Sequence, residues 1–101
     1  MEKNIIKNIN EIFTTKIRLG AMALLVMETT LDFTTLKNRL EVSDGNLGSH
    51  LRVLEDAGYL RVDKKFVGRR PKTTYTVTDK GIKAFNQHLK ELETIIHQIK
   101  Q

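Results

Sequence analysis

The chain contains no cysteine and no tryptophan, one proline, and only four phenylalanines and two tyrosines. The missing cysteines exclude disulfides, thiolate metal sites and cysteine nucleophiles together, and they suit a reducing compartment. Long apolar runs are also missing. The longest, from Ala21 to Met27, falls far short of the roughly 20 residues that a membrane-spanning helix needs. The first residues, MEKNIIKNINEIF, mix charged and amide side chains among apolar ones. They hold neither the apolar core of a signal peptide nor a small-residue cleavage site. No internal repeat or low-complexity segment interrupts the chain. The expectation is a complete cytoplasmic protein with no membrane association.

What is present is ordinary in amount and uneven in placement. A length of 101 residues suits one domain, residues 1–101, around one hydrophobic core. A hydrophobic fraction of 40% and a charged fraction of 29% fit a globular protein without a disordered majority. The net charge of +5 favours a polyanionic partner. No nucleophile–base set, phosphate loop or metal-ligand cluster can be picked out, so neither catalysis nor a cofactor is expected. His88 and His97 are nine residues apart on one helical stretch, about 180° around it, and cannot chelate one metal within a chain.

Hydrophobic spacing divides the chain into three parts: residues 1–14, 15–79 and 80–101. Ile5, Ile9 and Ile12 recur at helical spacing and predict a short amphipathic helix over 3–13. Thr15 can cap a second helix running to about Thr29, with Ile17, Ala21, Leu24 and Leu25 facing in. After a brief extended link at 31–33, Thr34 can cap a third helix over 35–40. Glu41 and Val42 make a tight turn. Ser43 then caps a fourth helix, with Asp44 well placed against the helix dipole, and Gly58 closes it in the left-handed position. Two helices joined by such a turn form a helix-turn-helix.

Beyond Gly58 the pattern alternates. Leu60 and Val62 point one way and Arg61 and Asp63 the other; Tyr75 and Val77 repeat the inward positions. The loop between the two strands holds Gly68 and Pro71, which are expected to end the pairing and let the tip project. Thr78 or Asp79 caps a final helix. Its apolar residues Ile82, Phe85, Leu89, Leu92, Ile96 and Ile99 follow steps of three and four, an a/d seam. Such a seam needs a partner, and in so small a chain a second copy is the most available one. Ile5, Ile9, Ile12, Phe85, Leu89, Leu92, Ile96 and Ile99 are therefore the expected dimer interface.

On the fourth helix, Leu47, Leu51 and Leu54 share one stripe with Gly58, at about 100° per residue. Gly45, Asn46, Ser49, Arg52 and Val53 lie opposite, with Asp56 further along. The exposed side chains of its first two turns are small or hydrogen-bonding, as close entry into a groove requires. Two glycines cost such a helix up to about 1 kcal/mol each relative to alanine, which points to a steric reason for them. Ser43, Asn46, Ser49, His50 and Arg52 are the candidate reading residues, with His50 at the edge of the buried stripe. Between residues 61 and 72 stand six cations, Arg61, Lys64, Lys65, Arg69, Arg70 and Lys72, opposed only by Asp63. A basic hairpin beside a reading helix fits a nucleic-acid duplex: Lys64, Lys65 and Lys72 on phosphates, Arg69 or Arg70 in a minor groove.

The stretch LDFTTLKNRLEVSDGNLGSHLRVLEDAGYLRV, followed by FVGRRPKTTYTVTDKG, resembles the MarR/ArsR-like transcriptional regulators. It is most similar to their compact winged-helix subgroup with a G-R-R-P-[KR]-T-x-Y wing. The resemblance covers about residues 15–90. It implies a mainly α fold with a small β-hairpin wing, a winged helix-turn-helix DNA-binding domain carrying added N- and C-terminal dimerisation helices. The implied partners are double-stranded DNA and a second copy of the chain, on a palindromic operator, usually as a repressor. By the same resemblance Ser43, Asn46, Ser49, His50 and Arg52 fall on the recognition helix, and Arg69, Arg70 and Lys72 on the wing. Two departures stand out. Many relatives have Ser or Thr in place of Gly48 and Arg or Lys in place of Ser49, so this reading helix is short of long side chains. The competing expectation is a winged-helix module that docks another protein without specific DNA binding.

Overall fold

Local hydrogen bonds decide where each element begins. In the computed structural model, which describes residues 4–101, Thr15 accepts the Arg18 amide and opens α1, Lys16–Glu28. Helix α2 spans Phe33–Leu40, α3 Asp44–Asp56 and α4 Asp79–Ile99. Ser43 accepts the Asn46 amide at 3.3 Å to open α3, and Thr78 accepts the Gly81 amide at 3.0 Å to open α4. Glu41 ends α2 in the left-handed region (φ 55°), and Gly58 does the same service just past α3 (φ 82°). Strands β1 (Thr30–Asp32), β2 (Leu60–Val67) and β3 (Arg70–Val77) form one antiparallel sheet in the order β1-β3-β2. No helix among the described residues is long and apolar enough to cross a membrane.

Four expectations change. The helix over 3–13 does not form: residues 5–8 are turns and only Glu11–Phe13 make a short 3-10 helix, while residue 3 lies outside the described residues. Asparagine side chains explain this, since Asn4 captures the Ile6 amide and Asn10 the Ile12 amide, each at 3.0 Å, in place of helical bonds. Helix α2 is capped by Asp32, not Thr34: its carboxylate accepts the Thr35 amide at 2.8 Å. The hydrogen bonds to Thr35, with Lys72 nearby, hold that carboxyl below the usual range. The link before α2 is a third strand, too short at three residues to show alternation.

The fourth change is at the hairpin, where pairing runs on to Val67–Arg70, leaving only Gly68 and Arg69 as the turn. Gly68 has positive φ (66°) and Arg69 does not, the pattern of a type II′ turn. Pro71 stands inside β3 opposite Phe66. A proline fits there because β1 ends at Asp32, opposite Thr74, so β3 is an edge strand at that point.

The core gathers Leu25, Leu36, Leu47, Leu51 and Leu54 from the three-helix layer with Leu60, Tyr75 and Val77 from the sheet. A satellite of rings ties both chain ends to it. Phe13 stacks on Tyr59 and meets Phe85 edge-on, both at 5.2 Å between centroids, with His88 at 5.3 Å. Phe85, expected at a dimer interface, is thus a core residue, 3% exposed. The seam of α4 has two owners. Its first turns cover the chain's own core, and Gly81 packs so closely on the Tyr59 carbonyl that a Cβ would overlap it. The turns after His88 run past the core, which helps make the molecule 61 Å long and only 25 Å across.

His88 is buried, and its Nδ1 accepts the Asn10 amide at 3.3 Å. Burial pushes its pKa down, so the folded chain resists a proton that the unfolded chain takes up near pH 6.5. Stability is therefore full above that value and declines as pH falls through it. The denaturation midpoint should drop between pH 7.5 and 5.5, and His88→Gln should flatten that drop; an equal pH dependence in both proteins would remove His88 as the cause.

Candidate nucleic-acid interface

Helix α3 packs on α1 and β2, so one side of it is fixed by the core. Leu47, Leu51 and Leu54 on that side are at most 1% exposed. Gly45, Asn46, Ser49 and Arg52 are exposed on the opposite side, as the helical spacing predicts, with Val53 beside them. The Ser43 hydroxyl serves as the cap, and Ser49 donates to the Asn46 carbonyl at 3.1 Å. Neither interaction involves the Asn46 amide group, whose donor and acceptor suit a bidentate contact with adenine.

The glycines of α3 differ from the other helical glycines. A Cβ on Gly20 would strike Leu40, and one on Gly81 would strike backbone; one on Gly45 or Gly48 would meet nothing within 4 Å. Internal packing therefore gives no reason for glycine at 45 and 48. Asp44, the anion closest to the helix entry, is held by Lys37 at 2.7 Å. That pairing offsets its charge where an approaching phosphate would be repelled.

His50 is half-buried beside α1, and its Nδ1 lies 2.9 Å from an Arg18 guanidinium nitrogen. Arginine can only donate, so Nδ1 is the acceptor and the remaining proton of the neutral ring is on Nε2. Through its Nε atom the same guanidinium donates to the Ile12 carbonyl at 2.6 Å. Arg18 thus joins the N-terminal segment to α3. Sequence spacing gave no sign of this residue, because its partners are 6 and 32 positions away.

The hairpin register sorts the basic residues onto two faces, because directly paired residues project to the same side. Arg61, Lys65, Arg70 and Lys72 share the outer face with Asp63, Thr74 and Thr76, whereas Lys64 lies on the core-side face with Phe66, Pro71 and Thr73. Lys65 is 3.5 Å from Asp63, and Lys72 is 3.8 Å from Asp32. These exposed pairs are weak and easily exchanged for phosphate. Among the described residues, Lys64, Arg69 and Arg70 make no ion pair, and Arg69 occupies the turn itself. The hairpin carries eight residues per strand and only its base, to Val62 and Tyr75, joins the core. At about 3.3 Å per residue, the remaining five pairs project roughly 16 Å.

The expected dimer residues separate by exposure. Leu89, Ile96 and Ile99 are 37%, 50% and 75% exposed, and Ile5 is 55% exposed. Leu92 and Ile9 are half-buried, while Ile12 packs against the core. Ile5 lies with Asn4 and Asn8 along a cleft whose other wall is Glu91, Thr94, Ile95 and Gln98 of α4. Ile6 is also exposed, at 63%, and was not singled out by the helical spacing, since the segment is not a helix. No group of three or more His, Cys, Asp or Glu able to hold a metal occurs among the described residues.

A family model described as a winged helix DNA-binding domain matches residues 17–96. An uncharacterized protein of Methanocaldococcus jannaschii is 35% identical over 82 residues, 81% of this chain and 89% of that one. The structure of a transcriptional regulator homologue from Pyrococcus horikoshii OT3 superposes with a TM-score of 0.85 at 31% identity, covering 96% of this chain and 94% of the other. Reduced AbfR bound to DNA shares the fold at 18% identity, with a TM-score of 0.67 over 96% of this chain and 76% of its own. With four helices, a three-stranded wing sheet and a match along most of its length, the chain belongs to the winged helix DNA-binding domain family and is a DNA-binding transcriptional regulator.

Proposed function

We propose that two copies of the chain bind an inverted-repeat operator, each placing α3 in a major groove and its wing on the flanking backbone and minor groove, and that the complex represses transcription. The observation that carries this reading is the bare face of α3. Gly45 and Gly48 have open space where a side chain would stand, so their cost to helix stability has no return inside the fold. Close approach of the helix backbone to a duplex gives that return. Asn46, Ser49 and Arg52 then reach base edges, His50 offers its Nε2–H to an acceptor, and Lys64, Lys65, Arg69, Arg70 and Lys72 engage the sugar-phosphate backbone and minor groove. A dyad through the exposed turns of α4 would set the two helices about 34 Å apart, in successive major grooves.

Sequencing duplexes retained by the purified protein tests the reading. The expected product is an inverted repeat with half-site centres about 10 base pairs apart. Failure to enrich any motif at moderate salt would favour a module that docks another protein. Asn46→Ala should relax base preference within each half-site, costing about 1–3 kcal/mol on the selected operator and little on random DNA. Equal losses on both would remove Asn46 from base reading.

A further inference from the structure

The tip of the wing is not only basic. Phe66 is 73% exposed and Val67 60% exposed, and Pro71 is exposed as well. Phe66 and Pro71 are cross-strand partners and therefore project together on one face, one pair back from the turn. They lie beyond Val62 and Tyr75, where the core beneath the sheet ends. An aromatic ring held at the end of a stiff hairpin, with no core under it, has nothing to gain within its own chain.

The surroundings choose its partner. Lys64, Lys65, Arg69, Arg70 and Lys72 surround this apolar pair, and among the described residues Asp63 and Asp32 are already shared with Lys65 and Lys72. A purely apolar protein surface would leave Lys64, Arg69 and Arg70 unmatched. A duplex satisfies both features at once, with phosphates for the cations and an apolar base stack for the ring. A minor groove about 6 Å wide and 7.5 Å deep admits side chains from a hairpin tip, although not the hairpin itself.

Resting on the wing contact proposed above, we infer that Phe66, backed by Pro71, is an apolar wedge that enters the minor groove beside the turn residue Arg69 and partly unstacks a base step. The wing then reads deformability as well as charge. Flexible pyrimidine–purine steps yield to such a wedge, whereas stiff A-tracts resist it. Sequence preference would arise at a position where no hydrogen bond to a base is made. This offsets the shortage of long side chains on α3.

The test needs no known operator. Two duplexes of equal length, one of alternating T·A and A·T pairs and one a continuous A-tract, are compared for binding, with 2-aminopurine in place of selected adenines to report unstacking. Wild-type protein should prefer the alternating duplex by about tenfold, since base–aromatic stacking is worth that much or more, and should raise 2-aminopurine fluorescence there. Phe66→Ala should bring the ratio close to one and abolish the fluorescence rise, with the salt dependence of binding unchanged. Phe66→Leu should keep part of both effects. Because Phe66 lies outside the core, the variants should keep the wild-type circular dichroism and melting curve.

The proposal is overturned if wild-type protein leaves the fluorescence unchanged, or if Phe66→Ala retains the preference. It is equally overturned if Phe66→Ala changes only binding to vesicles of phosphatidylglycerol, which would make the tip a membrane contact. Loss of the wing reading is separately visible: Arg69→Ala with Arg70→Ala would then leave the salt dependence untouched.

Discussion

Replacing Arg69 and Arg70 together by alanine should weaken binding to every duplex, specific or random, and flatten its dependence on salt. Both side chains are exposed at the end of a projecting hairpin, and neither makes an ion pair among the described residues. Their removal therefore leaves the fold unstrained and changes only what the wing presents. Each phosphate contact contributes about 0.9 to the slope of log K against log salt. Two arginines on each of two bound copies would lower that slope by about 3.6, equivalent to a loss of between about three and four orders of magnitude in affinity at 0.1 M salt if binding at 1 M is unchanged. Titrations between 0.05 and 0.3 M salt measure both quantities together. A slope equal to wild type would show that the wing stays clear of the backbone, whatever happens to affinity at one salt concentration.

Leu89→Asp should convert the proposed dimer to a monomer and, through that, remove most of the operator affinity. Leu89 stands where α4 leaves its own core: His88 beside it is buried, while Leu89 is 37% exposed and Ile96 and Ile99 beyond it are 50% and 75% exposed. A carboxylate there can stay solvated in the monomer. Between two packed helices it would face its symmetry mate across an apolar seam, at a cost of several kcal/mol. Since two half-sites on one duplex act as a bivalent target, separation of the protomers should reduce operator affinity by about 10²–10⁴. Sedimentation gives the mass and a binding titration gives the affinity. A variant that sediments as a dimer would place the interface elsewhere, with Ile5, Ile6 and the N-terminal segment the next surface to examine.

These two expectations draw on different kinds of legibility. The helix boundaries at Thr15, Ser43, Gly58 and Thr78 can be read directly, because a cap is a contact between residues two or three apart. The inward stripe of α3 and the alternation of β2 and β3 are equally plain, for burial imposes the period of the local backbone. The N-terminal helix misleads for the same reason in reverse. Ile5, Ile9 and Ile12 have helical spacing, yet Asn4 and Asn10 supply local hydrogen bonds that compete with a helix. Periodicity records which residues avoid water and says nothing of how the intervening amides are satisfied.

The candidate interface divides in the same way. Asn46, Ser49 and Arg52 are marked by lying opposite three leucines, and Arg69, Arg70 and Lys72 by their crowding. Arg18 carries no such mark. Its importance comes from bringing His50 and the Ile12 carbonyl to one guanidinium, a meeting that depends on the angle at which α1 crosses α3. Phe66 resembles any inward strand residue in sequence, since it continues the phase of Leu60 and Val62. Only the point at which the core stops beneath the sheet separates a buried ring from a projecting one.

By itself, then, the sequence determined the order of the four α-helices and the hairpin, the winged helix-turn-helix class and the side of α3 that is free to meet a partner. Each of these rests on contacts within one helix or hairpin, where spacing along the chain is distance in space. The tertiary structure alone decided that Phe85 belongs to the chain's own core, that Leu89 and the residues after it do not, and that glycines 45 and 48 have no internal cause. Those are questions of what lies opposite a residue. The answer comes from elements distant in sequence, whose packing sets the surroundings of each side chain.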